Sequence, residues 1–360
     1  MNAPALEVSF LEDGAQPADR TAQELATFIG GAQRSLDIAI YDLNLHDSPA
    51  DQLRDAIQAA TARGVPVRLL HNVDFPNPIP VPPPSDPDTT FIQSLGVAIH
   101  AVAGVPALMH HKYVIRDGNS DAACVWTGSM NWTNDSWTRE ENVILKLPSP
   151  PLAAAYARNF NELWSSGRVE TSGRYDVAAT RVPDRPDGVR TQVFFSPGRG
   201  PRMAHLIADR LGHAEKRIRL CSPVITAGPI LGTLAELAGR SGLDFKGVYD
   251  RTQMREVLGQ WKVDPHAGWK APAFATVASA LPFASKVTTP YAPGSVHDYM
   301  HAKVTVVDDT VLTGSYNLSH SGEENAENLL ELVSAPLADQ FAAFVDRVYA
   351  HYAPAVQAAQ

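Results

Sequence analysis

The chain has 360 residues, of which 44% are hydrophobic and 19% are charged, and its formal net charge is −9. This ordinary globular composition excludes a disordered, collagen-like or coiled-coil protein, and at about 150 residues per domain the length predicts two domains. The acidic balance argues against a surface coated with nucleic-acid-binding charge, although it is compatible with a local basic groove.

The first half of the chain alternates between strand-like and helical patterns. After a short strand and a helical stretch, the apolar segment SLDIAIYDL predicts a strand. A helix is predicted from about Asp51 to Arg63, and VPVRLLH predicts the strand that follows it. This alternation of strand and helix favours an α/β fold with a largely parallel sheet.

The second half repeats the order of the first. The segments RIRLCSPV and LDFKGVYD predict strands on either side of the helical stretch PILGTLAELAGRSG. The segment between the halves is rich in glycine, proline and charge, which is typical of a linker. We therefore predict an N-terminal domain over residues 1–168, a linker over 169–190 and a C-terminal domain over 191–360.

Each half carries an insertion at the equivalent place. The segment FPNPIPVPPPSDPD follows the strand that ends near Asp74 and predicts a surface loop or semi-rigid lid, since proline disfavours helices and central strands. The longer insertion, over about residues 251–296, contains the aromatic residues Trp261, Trp269, Phe274 and Tyr291. Both insertions are either ordinary loops or walls of a substrate cleft, because long loops in compact domains often carry function.

The pattern His-x-Lys-x4-Asp occurs once in each half. Its residues are His110, Lys112 and Asp117 in the first copy and His301, Lys303 and Asp308 in the second. Because side chains two positions apart on a strand project from one face, the histidine and lysine of each copy are expected to lie side by side. The pattern therefore predicts a nucleophile or proton donor beside a fixed positive charge.

Each copy is followed by Gly-Ser-x-Asn and then by Glu-Asn. The polar side chains of interest are Ser129, Asn131 and Glu141 in the first half and Ser315, Asn317 and Glu327 in the second. Gly-Ser-x-Asn follows a short apolar strand, so it is expected to open a turn whose hydroxyl, amide and backbone donors can face a phosphate. Asp117 and Asp308 lie at the turn end of their strands, where a structural hydrogen bond or ion pair is favoured over catalysis.

The doubled motif resembles the phospholipase D superfamily, whose HKD signature it matches in both copies. The resemblance implies two tandem α/β domains related by a pseudo-twofold axis, each a mixed sheet flanked by helices. It also implies that both motifs meet at one active site. The activity it implies is phosphodiester cleavage through a covalent phosphohistidine, from which the phosphoryl group is then transferred either to water or to an alcohol.

The resemblance further implies a role for each residue of the motif. The expected catalytic set is His110, Lys112, Asn131, His301, Lys303 and Asn317. The lysines neutralise phosphate oxygens, while the asparagines, together with Ser129 and Ser315, donate hydrogen bonds as charge develops. By family analogy His110 is the nucleophile and His301 is the proton donor and later the base. The symmetry of the motif leaves the reverse assignment open.

Supporting residues and cofactors follow from the same resemblance. Glu141 and Glu327 are expected to bind histidine ring nitrogens and fix their tautomers. No set of His, Asp and Glu outside the motif has clear metal-ligand spacing, and the two lysines already supply positive charge. We therefore expect catalysis that needs neither a metal nor another cofactor.

The sequence distinguishes between possible substrates less clearly than it indicates the chemistry. Binding a nucleic-acid polymer requires clustered Lys and Arg, and the sequence has no run rich in these residues. A phospholipid is therefore favoured over DNA or RNA. An endonuclease is the alternative, since the GSMNWT wording of the first half resembles the nuclease-like and mitochondrial cardiolipin-cleaving branch. An inactive binding module is disfavoured by the intact His, Lys and Asn of both copies. The expected partners are a phosphodiester substrate and, transiently, a membrane surface.

Cysteines and hydrophobic runs exclude several other classes. Cys124 and Cys221 cannot form a disulfide framework or a CxxC zinc pair, and both lie in apolar runs where buried thiols are expected. The N-terminal segment lacks the pattern of a classical signal peptide, and no apolar run approaches the ~18 residues of a transmembrane helix. A monomer in the cytoplasm is therefore the expectation.

Overall fold

The structure consists of two halves, each built on one large mixed sheet flanked by helices. It is a computed structural model and describes residues 5–73, 87–103, 106–175, 180–181 and 187–357. The α/β fold with two tandem sheet-based units, predicted from the sequence, is confirmed. The domain limits at residues 168 and 190 stay a prediction.

The first half begins with a strand at the edge of its sheet and ends with a long helix. Its elements are β1 (Glu7–Leu11), α1 (Ala18–Gly30), β2 (Leu36–Ile40), β3 (Leu43–Asn44), α2 (Asp47–Ala62), β4 (Val67–Val73), α3 (Thr89–Ser94), β5 (Ala98–Ala103), β6 (Lys112–Arg116), β7 (Cys124–Gly128), β8 (Trp132–Thr133), α4 (Asn134–Thr138), β9 (Asn142–Pro148) and α5 (Pro150–Ser166).

The second half follows a short 3-10 turn, Val169–Thr171, and repeats the main order of the first. Among its described residues it has no counterparts of β3 and β8, and it has two helices where the first half has α3. Its elements are β10 (Thr180–Arg181), β11 (Arg190–Ser196), α6 (Gly200–Gly212), β12 (Arg217–Ser222), α7 (Gly228–Leu237), β13 (Asp244–Asp250), α8 (Arg251–Trp261), α9 (Lys270–Ala280), β14 (Phe283–Lys286), β15 (Val304–Val307), β16 (Thr310–Gly314), α10 (His320–Glu324), β17 (Glu327–Val333) and α11 (Ala335–Gln357).

Local sequence signals explain where the flanking helices begin and end. α5 starts after Ser149, whose side chain accepts a hydrogen bond from the Leu152 N–H, and prolines occupy its first turn, where the backbone donors have no partner within the helix. It ends at Gly167, which adopts the left-handed conformation with φ 64°. α2 starts at Asp47, earlier than predicted, because Pro49 fits the first turn of a helix.

The two sheets share one strand order. It is β1-β9-β7-β6-β2-β4-β5 in the first sheet and β10-β11-β17-β16-β15-β12-β13-β14 in the second, which adds the edge strand β10. β2, β4 and β5 are parallel, as are β12, β13 and β14, whereas the other neighbouring strands are antiparallel. The expectation of a largely parallel sheet is therefore wrong. The reason is that the HKD segments return as antiparallel hairpins, β6–β7 and β15–β16, in the middle of each sheet.

One hydrophobic core lies between the two sheets and joins the halves. It contains residues of the central strands, such as Tyr113 and Val304, and of the long helices α5 and α11, such as Phe160 and Phe341. Two further cores lie on the outer faces, and each is confined to one half. Because the halves share the inner core, the segments that enter β6 and β15 lie at their junction.

The second insertion is folded rather than looped. Residues 251–296 contain α8, α9 and β14, and the two helices form the crossover between the parallel strands β13 and β14. Trp261 and Phe274 are buried in the outer core of the second half, so the alternative in which these two side chains wall a substrate cleft is wrong. Trp269 is 49% exposed and Tyr291 is half-buried. The first insertion lies almost wholly outside the described residues.

Candidate active site

Each histidine of the doubled motif lies just before its strand. β6 begins at Lys112 and β15 at Val304, so His110 and His301 occupy the segments that enter these strands. The lysines are buried, and each Nζ donates to the carbonyl oxygen of the histidine before it: Lys112 to His110 at 2.8 Å and Lys303 to His301 at 2.7 Å. Each lysine therefore contacts the backbone of its histidine, but the histidines precede the strands, so the expected arrangement of both side chains on one face of a strand is not what the structure has.

Each histidine is held by the opposite half of the chain. His110 Nδ1 lies 2.8 Å from Glu327 Oε2, and the His110 backbone N–H donates to the Ala326 carbonyl at 2.9 Å. His301 Nδ1 lies 3.1 Å from Asn142 Oδ1. Glu327 and Asn142 are the first residues of β17 and β9. The reciprocal contacts bring both copies of the motif to one place at the junction of the halves.

Glu141 does not occupy the place expected of it. Its carboxylate binds Lys286 Nζ at 3.1 Å and accepts a hydrogen bond from the Tyr352 hydroxyl. The carboxylate near His301 belongs instead to Glu140, whose Oε2 lies 3.3 Å from His301 Nδ1. Glu327 thus makes the histidine contact expected of it. The expectation for Glu141 is corrected, because Glu140 contacts His301 in its place. The cause is one additional residue between α4 and β9 relative to α10 and β17.

The serine and asparagine of Gly-Ser-x-Asn have different environments. Ser129 Oγ donates to Asn142 Oδ1 at 2.7 Å, and Ser315 Oγ accepts from the Asn328 backbone N–H at 3.0 Å. The serines therefore brace the starts of β9 and β17, whereas they were expected to face a phosphate. By contrast, Asn131 Oδ1 and both amide atoms of Asn317 are buried without a hydrogen-bond partner among the described residues. Buried polar atoms of this kind suit a ligand.

The aspartates of the motif are structural in this fold. Asp117 Oδ1 accepts hydrogen bonds from the backbone N–H groups of Gln33, Arg34 and Ser35 at 2.9, 2.6 and 3.1 Å. Asp308 binds the equivalent segment, residues 215–217, through three backbone N–H groups. Both aspartates have left-handed backbones, with φ of 56° and 50°, which Asp tolerates in tight turns. Each therefore ties the loop before the adjacent strand to the motif hairpin.

Replacing Asp308 with asparagine should lower stability without lowering turnover. Burial alone raises the pKa of Asp308, but backbone hydrogen bonds from Glu215, Arg217 and Lys216 bring it below its usual value. The loss should be about 1 kcal/mol, since the neutral amide keeps some of these bonds. The stability that the charged Asp308 contributes is fully present above the pKa of about 4 that the group has in the unfolded chain. It is lost as the pH falls through the lower pKa of the folded state.

Chemical denaturation at pH 7 and pH 3 measures this difference, with the exposed neighbour Asp309→Asn as the matched control. The stability gap between the variants should narrow at pH 3. A large loss of kcat in Asp308→Asn at unchanged stability would contradict the structural role.

Burial disfavours positive charge on the histidines. The pKa of His110 is lowered well below its usual range by burial and by the charges of both lysines. The pKa of His301 is lowered in the same way. Burial also lowers the pKa of Lys303 to about 7 and raises that of Glu327 to about 8. An anion bound beside the histidines and lysines would favour the positively charged forms of these side chains, so the site suits a phosphate.

Sequence reasoning missed several residues around the histidines. Asn72 Oδ1 accepts a hydrogen bond of 2.9 Å from the backbone N–H of Met109, the residue before His110. Asp250 Oδ2 accepts one of 3.1 Å from the backbone N–H of Met300, the residue before His301. The signal was present, because both are polar residues near the carboxyl end of a buried parallel strand. Tyr41 also contacts His110, with ring centroids 4.5 Å apart.

A small polar cavity of about 170 Å³ lies beside these residues. Its lining comprises Asp42, Asn44, His46, Thr133, Asn134, Asp135, Gly294, Ser295 and His297. Asp42 directly follows Tyr41, and its charge raises the pKa of Lys112 against the larger effect of burial, so the cavity borders the motif. Neither lysine nor arginine occurs among the described residues that line it.

Two properties bear on cofactors and membranes. In the part of the chain that the structure describes, no three His, Cys, Asp or Glu side chains are grouped so as to hold a metal ion. Metal-independent catalysis stays a prediction. Within those same ranges, no helix combines the length and the apolar character that crossing a bilayer requires.

Curated relatives resemble part of the chain. A mitochondrial cardiolipin hydrolase of Xenopus laevis is 30% identical over 148 residues, which are 41% of this chain and 62% of that protein. Its namesake in Chlamydomonas reinhardtii is 27% identical over 137 residues, covering 38% of this chain and 54% of that protein. The chain thus spans between about half and three fifths of the length of these relatives.

Solved structures and a family model cover more of the chain. A phosphatidylserine synthase of Haemophilus influenzae Rd KW20 superposes with a TM-score of 0.62 over 95% of this chain and 85% of that one, at 13% identity. Polyphosphate kinase of Porphyromonas gingivalis gives 0.59 over 95% of this chain and 50% of its own, at 9% identity. These likenesses show the fold. The family model described as cardiolipin synthase, PLD-like domain, matches residues 25–164 and 207–349, so the chain belongs to the phospholipase D-like family that its doubled motif predicts.

Proposed function

We propose that the protein is a phosphodiesterase that cleaves a phospholipid through a covalent phosphohistidine. The family assignment supports phosphodiester chemistry, and both copies of the motif keep their histidine, lysine and asparagine. The observation that carries the proposal is the environment of His110. Its Nε2 is buried without a hydrogen-bond partner among the described residues, while its Nδ1 is bound by the Glu327 carboxylate.

The geometry around His110 suits a nucleophile. When Glu327 is ionised, its carboxylate holds the proton on Nδ1, so the lone pair lies on Nε2. Burial raises the pKa of Glu327 to about 8, so this form of the pair is favoured as the pH rises toward that value. Burial lowers the pKa of His110 and keeps the ring neutral before substrate binds. In the first step, Nε2 forms a bond to phosphorus as the bond between phosphorus and the leaving alcohol oxygen breaks. The positive charge that develops on the ring is then stabilised by Glu327.

His301 supplies the proton for the leaving alcohol. The substrate phosphate, bound between Lys112 and Lys303, favours the protonated ring, and its Nε2–H passes to the departing oxygen. In the second step, neutral His301 takes a proton from water, the oxygen attacks phosphorus and the His110–phosphorus bond breaks. An alcohol in place of water gives transfer. Asn131 and Asn317 donate hydrogen bonds to the phosphoryl oxygens in both steps.

A phospholipid fits this site better than a nucleic acid. Nucleic acids need Lys and Arg along the bound backbone, and the described lining of the adjoining cavity includes neither. Asp42 and Asp135 in that lining would repel a chain of phosphates. The relatives named cardiolipin hydrolase also support a lipid substrate. A transient contact with a membrane surface would deliver it, and the monomeric state and cytoplasmic location stay predictions.

Assays of several phosphodiesters in parallel test the function. Purified protein is incubated with EDTA and with phospholipid vesicles, single-stranded or duplex DNA, RNA, or bis(p-nitrophenyl) phosphate. We expect cleavage of the aryl diester and a phospholipid, with little change between about 50 and 200 mM salt. Cleavage of nucleic acid alone, weakening steeply over that range, would contradict the lipid assignment and support an endonuclease. Inactivity toward all substrates would contradict the catalytic proposal.

A further inference from the structure

The two histidines have unlike partners because the strands that hold them differ in register. Gly128 pairs with Ile144 in the first sheet, whereas Gly314 pairs with Leu329 in the second. Counting back two residues from each partner makes Asn142 the structural counterpart of Glu327. The first half therefore has an amide where the second half has a carboxylate.

A hydrogen-bond network fixes the orientation of this amide. Asn142 Nδ2 donates to Glu140 Oε2 and to Ser136 Oγ, both at 3.0 Å, so its Oδ1 is the atom turned toward His301. Ser129 Oγ donates to the same Oδ1 at 2.7 Å. An amide oxygen can accept the Nδ1–H of the ring, but it carries no net charge that would stabilise an imidazolium.

Glu140 brings a carboxyl group to His301. Burial raises the pKa of Glu140 to about 7, against hydrogen bonds from Ser136 and Asn142, and a positive charge on the His301 ring would favour its ionised form. Its side chain is 2% exposed, and its Oε2 lies 3.3 Å from His301 Nδ1 beside Asn142 Oδ1. Lys286 of the second half binds the residues on either side of it: Nζ donates to the Arg139 carbonyl at 2.8 Å and to Glu141 Oε2 at 3.1 Å. The ion pair thus holds the segment that turns Glu140 toward His301.

We propose that Glu140, outside the expected Glu-Asn pair, is the positioning residue that stabilises the protonated His301. The inference rests on the proposed function, in which His301 donates a proton to the leaving alcohol. An acid matters most when the leaving oxygen is basic, so the role predicts a dependence on the leaving group. The charged and titratable groups around His301 are His110, Lys112, Glu140, His297 and Lys303.

The test compares Glu140→Gln with Glu141→Gln on two diesters, one that releases p-nitrophenolate and one that releases an alkyl alcohol. Glu140→Gln should reduce kcat for the alkyl ester by roughly 10- to 100-fold and for the aryl ester much less. The basic limb of its pH profile should move to lower pH, because removing a negative charge lowers the pKa of His301. Glu141→Gln should reduce both rates evenly.

A double variant checks that charge rather than shape is lost. In Glu140→Gln with Asn142→Glu, the carboxylate moves to the position that Glu327 occupies in the other half, and the alkyl-ester rate should recover. Equal losses on both esters in Glu140→Gln, or a selective loss in Glu141→Gln, would overturn the assignment while leaving the proposed function intact. Wild-type protein that cleaves neither ester would instead overturn the function and this inference with it.

Discussion

Alanine at His110 or His301 is expected to reduce kcat by roughly 10⁴-fold or more, because none of the described side chains around them can replace either ring. The adjacent His111 is buried, with its Nδ1 at 3.4 Å from Asn328 and its Nε2 at 3.4 Å from Ser172, and burial lowers its pKa to about 3. The variants should differ in the first turnover. With an aryl ester, His301→Ala should release one equivalent of p-nitrophenolate and then stall.

Stopped-flow absorbance measures this burst, and His266→Ala, at an exposed position, is the matched control. His110→Ala should show no burst, since the phosphohistidine cannot form. A burst in His110→Ala with none in His301→Ala would reverse the two roles. Near-normal rates in both would contradict the mechanism.

Methionine at Lys112 or Lys303 should lower kcat/KM by roughly 10²- to 10³-fold, which is typical of losing one donor to developing phosphoryl charge. Both lysines are buried at the junction of the halves, and each is held by a histidine carbonyl. Burial lowers the pKa of both lysines and a bound anion favours their charged forms, so with substrate present they form a local positive site on a protein whose net charge is −9. Either change should therefore also weaken inhibition by vanadate.

Steady-state kinetics with vanadate titration measures both effects. Lys262→Met removes one positive charge from an exposed position and should leave both quantities unchanged. Equal vanadate inhibition in wild type and in both active-site variants would show that the anion binds elsewhere.

The sequence was informative where a repeated pattern coincided with simple geometry. Two copies of His-x-Lys-x4-Asp predicted the paired motifs, and in each copy the lysine Nζ contacts the backbone carbonyl of the histidine two residues before it. The structural role favoured for Asp117 also agrees with its hydrogen bonds to three backbone N–H groups. These features depend on spacing within a few residues, which a sequence displays directly.

Features that depend on register or on distant segments could not be predicted. One additional residue before β9 puts Asn142 at the position that Glu327 has in the other half, so that Glu140 rather than Glu141 lies beside His301. The sequence motif, which matches in both halves, does not reveal this shift. Lys286 lies 145 residues from its partner Glu141, so only the fold brings them together. Long insertions are similarly ambiguous, since α9 has an alanine-rich sequence without a clear apolar face.

The mass of the intact His301→Ala protein, quenched with denaturant at alkaline pH, where a phosphohistidine is stable, after reaction with bis(p-nitrophenyl) phosphate, tests the central claim most directly. Attack by His110 should displace one p-nitrophenolate and leave one p-nitrophenylphosphoryl group per chain. Peptide mapping should place that group on His110. An unmodified protein that has nonetheless released product, a group on another residue, or two groups per chain would contradict a single shared site with His110 as the nucleophile.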